Sequence, residues 1–73
     1  MYPKQLKTFG DHIRAKRLDL GLFQKEVAGI IGVTTDTITN WEKGRNQPMR
    51  WHYLMINKFL GYSPFERLKS IDK

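Results

Sequence analysis

Seventy-three residues allow one small domain, expected over 1–73 with its core at about 7–70, and the absence of cysteine excludes disulfides and a thiolate metal site. With 40% apolar and 27% charged residues the chain is too apolar to be disordered, and its longest apolar-plus-glycine run, the seven residues Val27 to Val33, is far short of a membrane span. Thirteen Lys and Arg against seven Asp and Glu give a net charge of +6, which fits a polyanion partner such as nucleic acid, although many small soluble domains are basic without one.

Glycine and proline cut the chain into short helical pieces, and strand signals are poor. The expected fold is therefore all-α, a compact bundle of five helices. A first helix is expected over about Lys7 to Leu20, where Phe9, Ile13 and Arg17 recur at i, i+4 and i+8 and share a face. Arg17 is the odd member of that face. Gly21 ends it. A second helix spans about Gln24 to Ile31, with Val27, Ile30 and Ile31 inward, Ala28 small enough for close approach, and Gly32 ending it at positive φ. A third spans about Thr35 to Lys43. Thr34 is its N-cap, Asp36 lies in the first turn where the macrodipole favours an anion, and Ile38 and Trp41 point inward. After a polar connector, Arg45 to Pro48, a fourth helix covers about Arg50 to Leu60, with Leu54, Met55, Phe59 and Trp51 as the inward candidates. Ser63, Pro64 and Glu66 then form a start signal for a short fifth helix over about 64–70.

The informative stretch runs from Gln24 to Gly44: helix, tight glycine turn, helix. Ala28, Gly32 and Val33 set the angle between the two helices. Ile38 and Trp41 bury one side of the second. Thr35, Asp36, Thr37, Thr39, Asn40 and Lys43 are left on its exposed side, and most of them are short polar side chains of the size that reaches base edges in a major groove.

This segment resembles the Xre or Cro/lambda-repressor-like helix-turn-helix family. The matching residues are Ile13, Arg17 and Gly21, then Gln24, Glu26, Val27 and Ala28, then Gly32 and Val33, and finally Ile38, Trp41, Glu42, Gly44 and Pro48. The resemblance covers about Phe9 to Gly61. It implies a five-helix domain that inserts its third helix into the major groove of double-stranded DNA and regulates transcription, without a cofactor or a catalytic or metal site. Carried over to matching positions, it makes Thr35, Asp36, Thr37 and Asn40 base readers. Gln24, Thr34, Lys43 and Arg45 then match phosphate-side contacts, and Lys25, Thr39 and Arg50 are further phosphate-side candidates beside them. Arg17 and Glu42 match a buried ion pair, which explains a charge on an apolar face.

Two positions depart from the family pattern. Phe23 stands where a capping Ser, Thr or Asn is usual, leaving it to pack on the core or to lie near a DNA sugar. Asp36 either accepts from a cytosine amine or serves the helix dipole. His12 and His52 fall in different helices with no carboxylate cluster between them, which disfavours a metal or catalytic role. The last third is dense in aromatics, and one helix cannot bury Trp51, Tyr53 and Leu54 together, which suggests a partner surface for a second copy or another protein. Three functions are weighed: a DNA-binding regulator, a DNA-binding antitoxin that also clamps a protein, and an enzyme, which no visible nucleophile–base pair supports. Residues Met1 to Leu6 lack a signal-peptide core, so the cytoplasm is the expected location.

Overall fold

The computed structural model describes residues 6–65, and among these the secondary structure is four helices. The first, α1, runs Phe9–Leu20. It starts two residues later than the apolar spacing suggests because Thr8 caps it. The Thr8 hydroxyl accepts from the Asp11 N–H at 3.1 Å, and the Asp11 carboxylate accepts from the Thr8 N–H at 3.2 Å. This reciprocal pair satisfies two donors that would otherwise be orphaned at the helix start.

Helix α2, Gln24–Ile31, has the expected bounds but a different inner face. Val27, Ala28 and Ile31 are buried, whereas Ile30 is 48% exposed. At about 100° per residue, Ile30 lies roughly a quarter turn from the centre of the buried three, so the i, i+3 reading misplaces it. Phe23 does not pack on the core either and is 72% exposed. The turn to α3 needs Gly32, whose φ of 92° is the left-handed region that a side chain resists.

Helix α3, Thr35–Glu42, ends one residue before Lys43, which is its C-cap. Thr34 caps its start by accepting from the Thr37 N–H at 3.2 Å. Ile38 and Trp41 are both buried. Helix α4 runs Arg50–Leu60. Its buried residues are Ile56 and Leu60, with Phe59 partly buried, whereas Leu54 and Trp51 are largely exposed and Met55 lies partly out. The fifth helix expected at about 64–70 falls outside the described residues except at Pro64 and Phe65, which lie in a turn.

One core joins the four helices. It comprises Phe9, Ile13, Val27, Ala28, Ile31, Ile38, Trp41, Ile56 and Leu60, with Leu22, Val33 and Phe59 against its edge. Helices α1 and α2 each pack on both α3 and α4. The α1–α3 contact is close, and Gly10 makes it so. A Cβ at Gly10 would fall on the Trp41 carbonyl and lie 3.2 Å from Glu42 Cα. The two backbones therefore touch directly. No helix among the described residues is long and apolar enough to cross a membrane.

Candidate nucleic-acid interface

Helix α3 sorts its side chains by angle. Ile38 and Trp41 face the core, while Asp36, Asn40 and Lys43 recur at i, i+4 and i+7 down the side away from it. Thr35, Thr39 and Glu42 share the same spacing on a flank that meets α1 and α2. Asp36, Thr35, Lys43, Lys25, Arg45 and Arg50 are exposed, and Thr37, Thr39, Asn40 and Gln24 are half-buried. The Thr37 and Thr34 hydroxyls lie 2.8 Å apart. Asn40 Oδ1 accepts from Arg45 Nη1 at 3.4 Å, which ties the connector to the outer stripe of α3.

The flank holds a highly connected buried group. The Glu42 side chain is 1% exposed. Arg17 grips it with two bonds, Nε to Oε2 at 2.8 Å and Nη2 to Oε1 at 3.0 Å. The third guanidinium nitrogen, Nη1, donates to the Leu22 carbonyl at 3.0 Å and so holds the α1–α2 turn. A buried carboxylate is tolerable only when charge and hydrogen-bond partners are both supplied, and here a fork-shaped cation supplies both. Arg14 adds a longer contact, Nη1 to Oε1 at 3.5 Å.

Gln24 joins this group rather than standing apart. Its Nε2 donates to Glu42 Oε1 at 3.0 Å, and its Oε1 accepts from the Thr39 hydroxyl at 2.8 Å. The Thr39 hydroxyl also lies 3.1 Å from the Thr35 carbonyl. The amide is thereby oriented, with one Nε2 hydrogen engaged and one left to donate. Of the candidate site residues, the fold brings Gln24, Thr39, Arg17 and Glu42 into one network, Thr34 with Thr37, and Asn40 with Arg45. Arg50 instead lines a groove between the start of α1 and α4, with Lys7 and Tyr53.

Sequence reasoning missed three of these features. Arg14 is three residues before Arg17 and so reaches the same carboxylate. Thr39 is three residues before Glu42 on α3, which was the available sign that it would meet Gln24. Gly10 carried no signal beyond being a glycine inside a helix. The histidines are occupied separately. His12 Nδ1 lies 2.8 Å from the Tyr62 hydroxyl, while His52 Nδ1 accepts from the Met49 N–H at 3.1 Å and its ring packs 5.0 Å from that of Trp41.

A family model described as helix-turn-helix matches residues 13–66. The chain is 39% identical over 61 residues to an uncharacterised helix-turn-helix-type transcriptional regulator of Methanothermobacter thermautotrophicus, covering 84% of this chain and 88% of that protein. It is 32% identical over 63 residues to repressor protein C2 of Salmonella phage P22, covering 86% of this chain and 29% of the repressor. It is 36% identical over 61 residues to the type II methyltransferase M1.ScrFI of Lactococcus lactis, covering 80% of this chain and 16% of the enzyme. The chain thus spans under a third of these last two proteins. The crystal structure of the P22 c2 repressor in complex with a synthetic operator matches the fold with a TM-score of 0.72 at 31% identity, over 80% of this chain and 88% of that one. With the family model matched across most of its length and a relative matched across most of both, the chain belongs to the helix-turn-helix family of the Xre and lambda-repressor-like type.

Proposed function

We propose that the chain binds double-stranded DNA sequence-specifically through α3 and regulates transcription as a repressor. The observation that carries this reading is the division of α3. Its inner faces are locked by the core and by the Glu42 network, while its outer stripe offers Asp36, Asn40 and Lys43 to a groove. Rigid support behind a row of polar side chains is what precise base contact requires. Likeness to a repressor solved on its operator supports the same reading.

In this reading Thr35, Asp36, Thr37 and Asn40 read bases. Gln24, Lys25, Thr34, Thr39, Lys43, Arg45 and Arg50 hold the phosphate backbone, Gln24 with the Nε2 hydrogen that Glu42 leaves over. Residues 1–73 act as one domain in the cytoplasm. Two copies bind two half-sites about one helical turn apart. A second reading, a DNA-binding antitoxin that also holds a protein, is favoured by the exposure of Trp51 and Leu54 away from α3. Selection of bound duplexes from a random pool tests the main reading. A palindromic consensus is the expected result, and enrichment of nothing would refute specific DNA binding.

A further inference from the structure

The groove between the start of α1 and α4 has a volume of about 740 Å³, within the range of sites that hold one small molecule. Arg50, Tyr53, Leu54 and Asn57 line it at i, i+3, i+4 and i+7, which puts them on one face of α4. Its floor is aromatic. The Phe9 ring packs 4.7 Å from that of Tyr53 and edge-on, at 4.9 Å, to that of Phe65. Phe9 is buried, whereas Tyr53 and Phe65 remain 37% and 42% exposed.

The polar groups of the groove are all of one kind at one end. Lys7 and Arg50 stand there, and no acidic residue lines the groove among the described residues. Among the same residues no carboxylate pairs with either side chain. The Asp11 carboxylate accepts instead from the backbone N–H groups of Lys7 and Thr8, at 3.0 and 3.2 Å. Helix α4 begins at Arg50 and has no acidic residue in its first turn, so its dipole adds to the same positive field. At the other end, Asn57 Oδ1 is buried with no hydrogen-bond partner. An unsatisfied buried acceptor is costly and uncommon. The amide turns about a broad, two-fold torsion, which brings its oxygen to a donor in the groove.

We propose that the groove binds a small aromatic acid carrying an N–H donor. The carboxylate meets Arg50 and Lys7, the ring lies on Tyr53 and Phe65, and the donor meets Asn57. Arg50 and Asn57 are about 10 Å apart along the helix axis, seven residues at 1.5 Å each. A bicyclic ring with a short acid side chain covers that span once the arginine extends toward it. One planar molecule thus answers the excess of cation, the exposed rings and the orphan acceptor together. In the proposed function Arg50 holds a phosphate, so the bound acid competes with DNA for it. Only this competition rests on that reading, because binding of the acid is measured without DNA.

Indole-3-propionate is the test ligand. Titrated into the isotope-labelled full chain, it should move the backbone amide signals of residues 7–9, 47, 50–57 and 65 saturably. A Kd near the millimolar range is expected for a molecule of about fourteen non-hydrogen atoms. The neutral indole-3-propionamide should bind several-fold more weakly, and Arg50→Gln should weaken binding of the acid to a similar degree. Lys58→Gln removes an exposed charge from α4 outside the groove and should leave binding unchanged. Methylating the indole nitrogen should weaken binding several-fold in the parent and have no further effect in Asn57→Leu. The same spectra show whether each variant is folded. Saturating acid should then weaken binding of a selected duplex several-fold in the parent but not in Arg50→Gln. The absence of a saturable shift, shifts spread outside the groove, or equal affinity for acid and amide overturns the proposal. So do shifts that follow protein concentration rather than the acid, which would give the groove to a second copy. An N-methyl compound that binds the parent as tightly overturns the part given to Asn57, and an unchanged duplex affinity overturns the competition. An acid bound with these preferences by a chain that selects no DNA would leave the site standing and sink the proposed function instead.

Discussion

Asp36 and Glu42 sit six residues apart on α3 and carry the same charge to opposite ends. Glu42 is buried and answers to four side-chain bonds from Arg17, Gln24 and Arg14. Truncating it strands at least one buried cation, so Glu42→Ala should cost about 3–5 kcal/mol, a large share of the stability of a small domain. A urea melt checks this, and a variant as stable as the parent would refute the pair's importance. Replacing Arg17 and Glu42 together by Met and Leu should recover only part of the loss. The Leu22 carbonyl and the Gln24 amide would still lose their partners. Asp36 is exposed, and the Thr34 hydroxyl, not Asp36, takes the Thr37 N–H. We therefore expect Asp36→Ala to relax preference at one base pair, by about 1–3 kcal/mol. Binding measured across single-base variants of a selected site decides it. Unchanged preference everywhere, with stability lowered by up to about 1 kcal/mol, would return Asp36 to the helix dipole.

Helix ends and helix faces were legible to different degrees. The ends were legible because their signals are local: Gly32 and Gly61 take positive φ, and Thr34 caps α3. The start of α1 was missed because Thr8 and Asp11 act as a pair, and an apolar count passes over them. The inner face of α4 was misread for a reason that no periodicity can cure. When both sides of a helix are apolar, spacing alone cannot say which side is buried. Gly10 makes the same point for packing, since only the approach of another backbone gives it meaning. Gly10→Ala should therefore be severe, roughly 3 kcal/mol or more, because the obstacle is the Trp41 carbonyl rather than a movable side chain. Thermal melting would show it, and a neutral effect would mean that α1 can shift. The start of α2 offers the opposite change. Phe23 gives no side-chain cap there, and its 72% exposure means that little burial is lost on replacement. Phe23→Ser should stabilise by about 1 kcal/mol, raising Tm by roughly 4–8 °C. A lowered Tm would show that the ring supports the fold.

At the scale of the whole molecule, the net charge of +6 becomes an interface property. Lys25, Lys43, Arg45 and Arg50 are all exposed, and in the proposed function they supply the ionic contacts while Gln24 and Thr34 serve as neutral phosphate donors. Three or four ionic contacts per subunit give a slope near −3 in log affinity against log salt. Titrations at several salt concentrations should show this, and a flat response would place the charge elsewhere. The α3 stripe could be read from residue types at fixed spacings, and its ion pair from the family resemblance. The Gln24–Thr39 link and the α1–α3 contact could not, because they depend on where three helices meet. That meeting point has a genetic consequence. Glu42 ties α3 to both helices behind it, and Gly10 sets the spacing. Lesions that abolish repression should therefore fall in two clusters, one on the outer stripe and one at positions 10, 17 and 42, which need never touch DNA. The second cluster should be temperature-sensitive and open to rescue by stabilising changes elsewhere, such as a serine at position 23. The first should be neither.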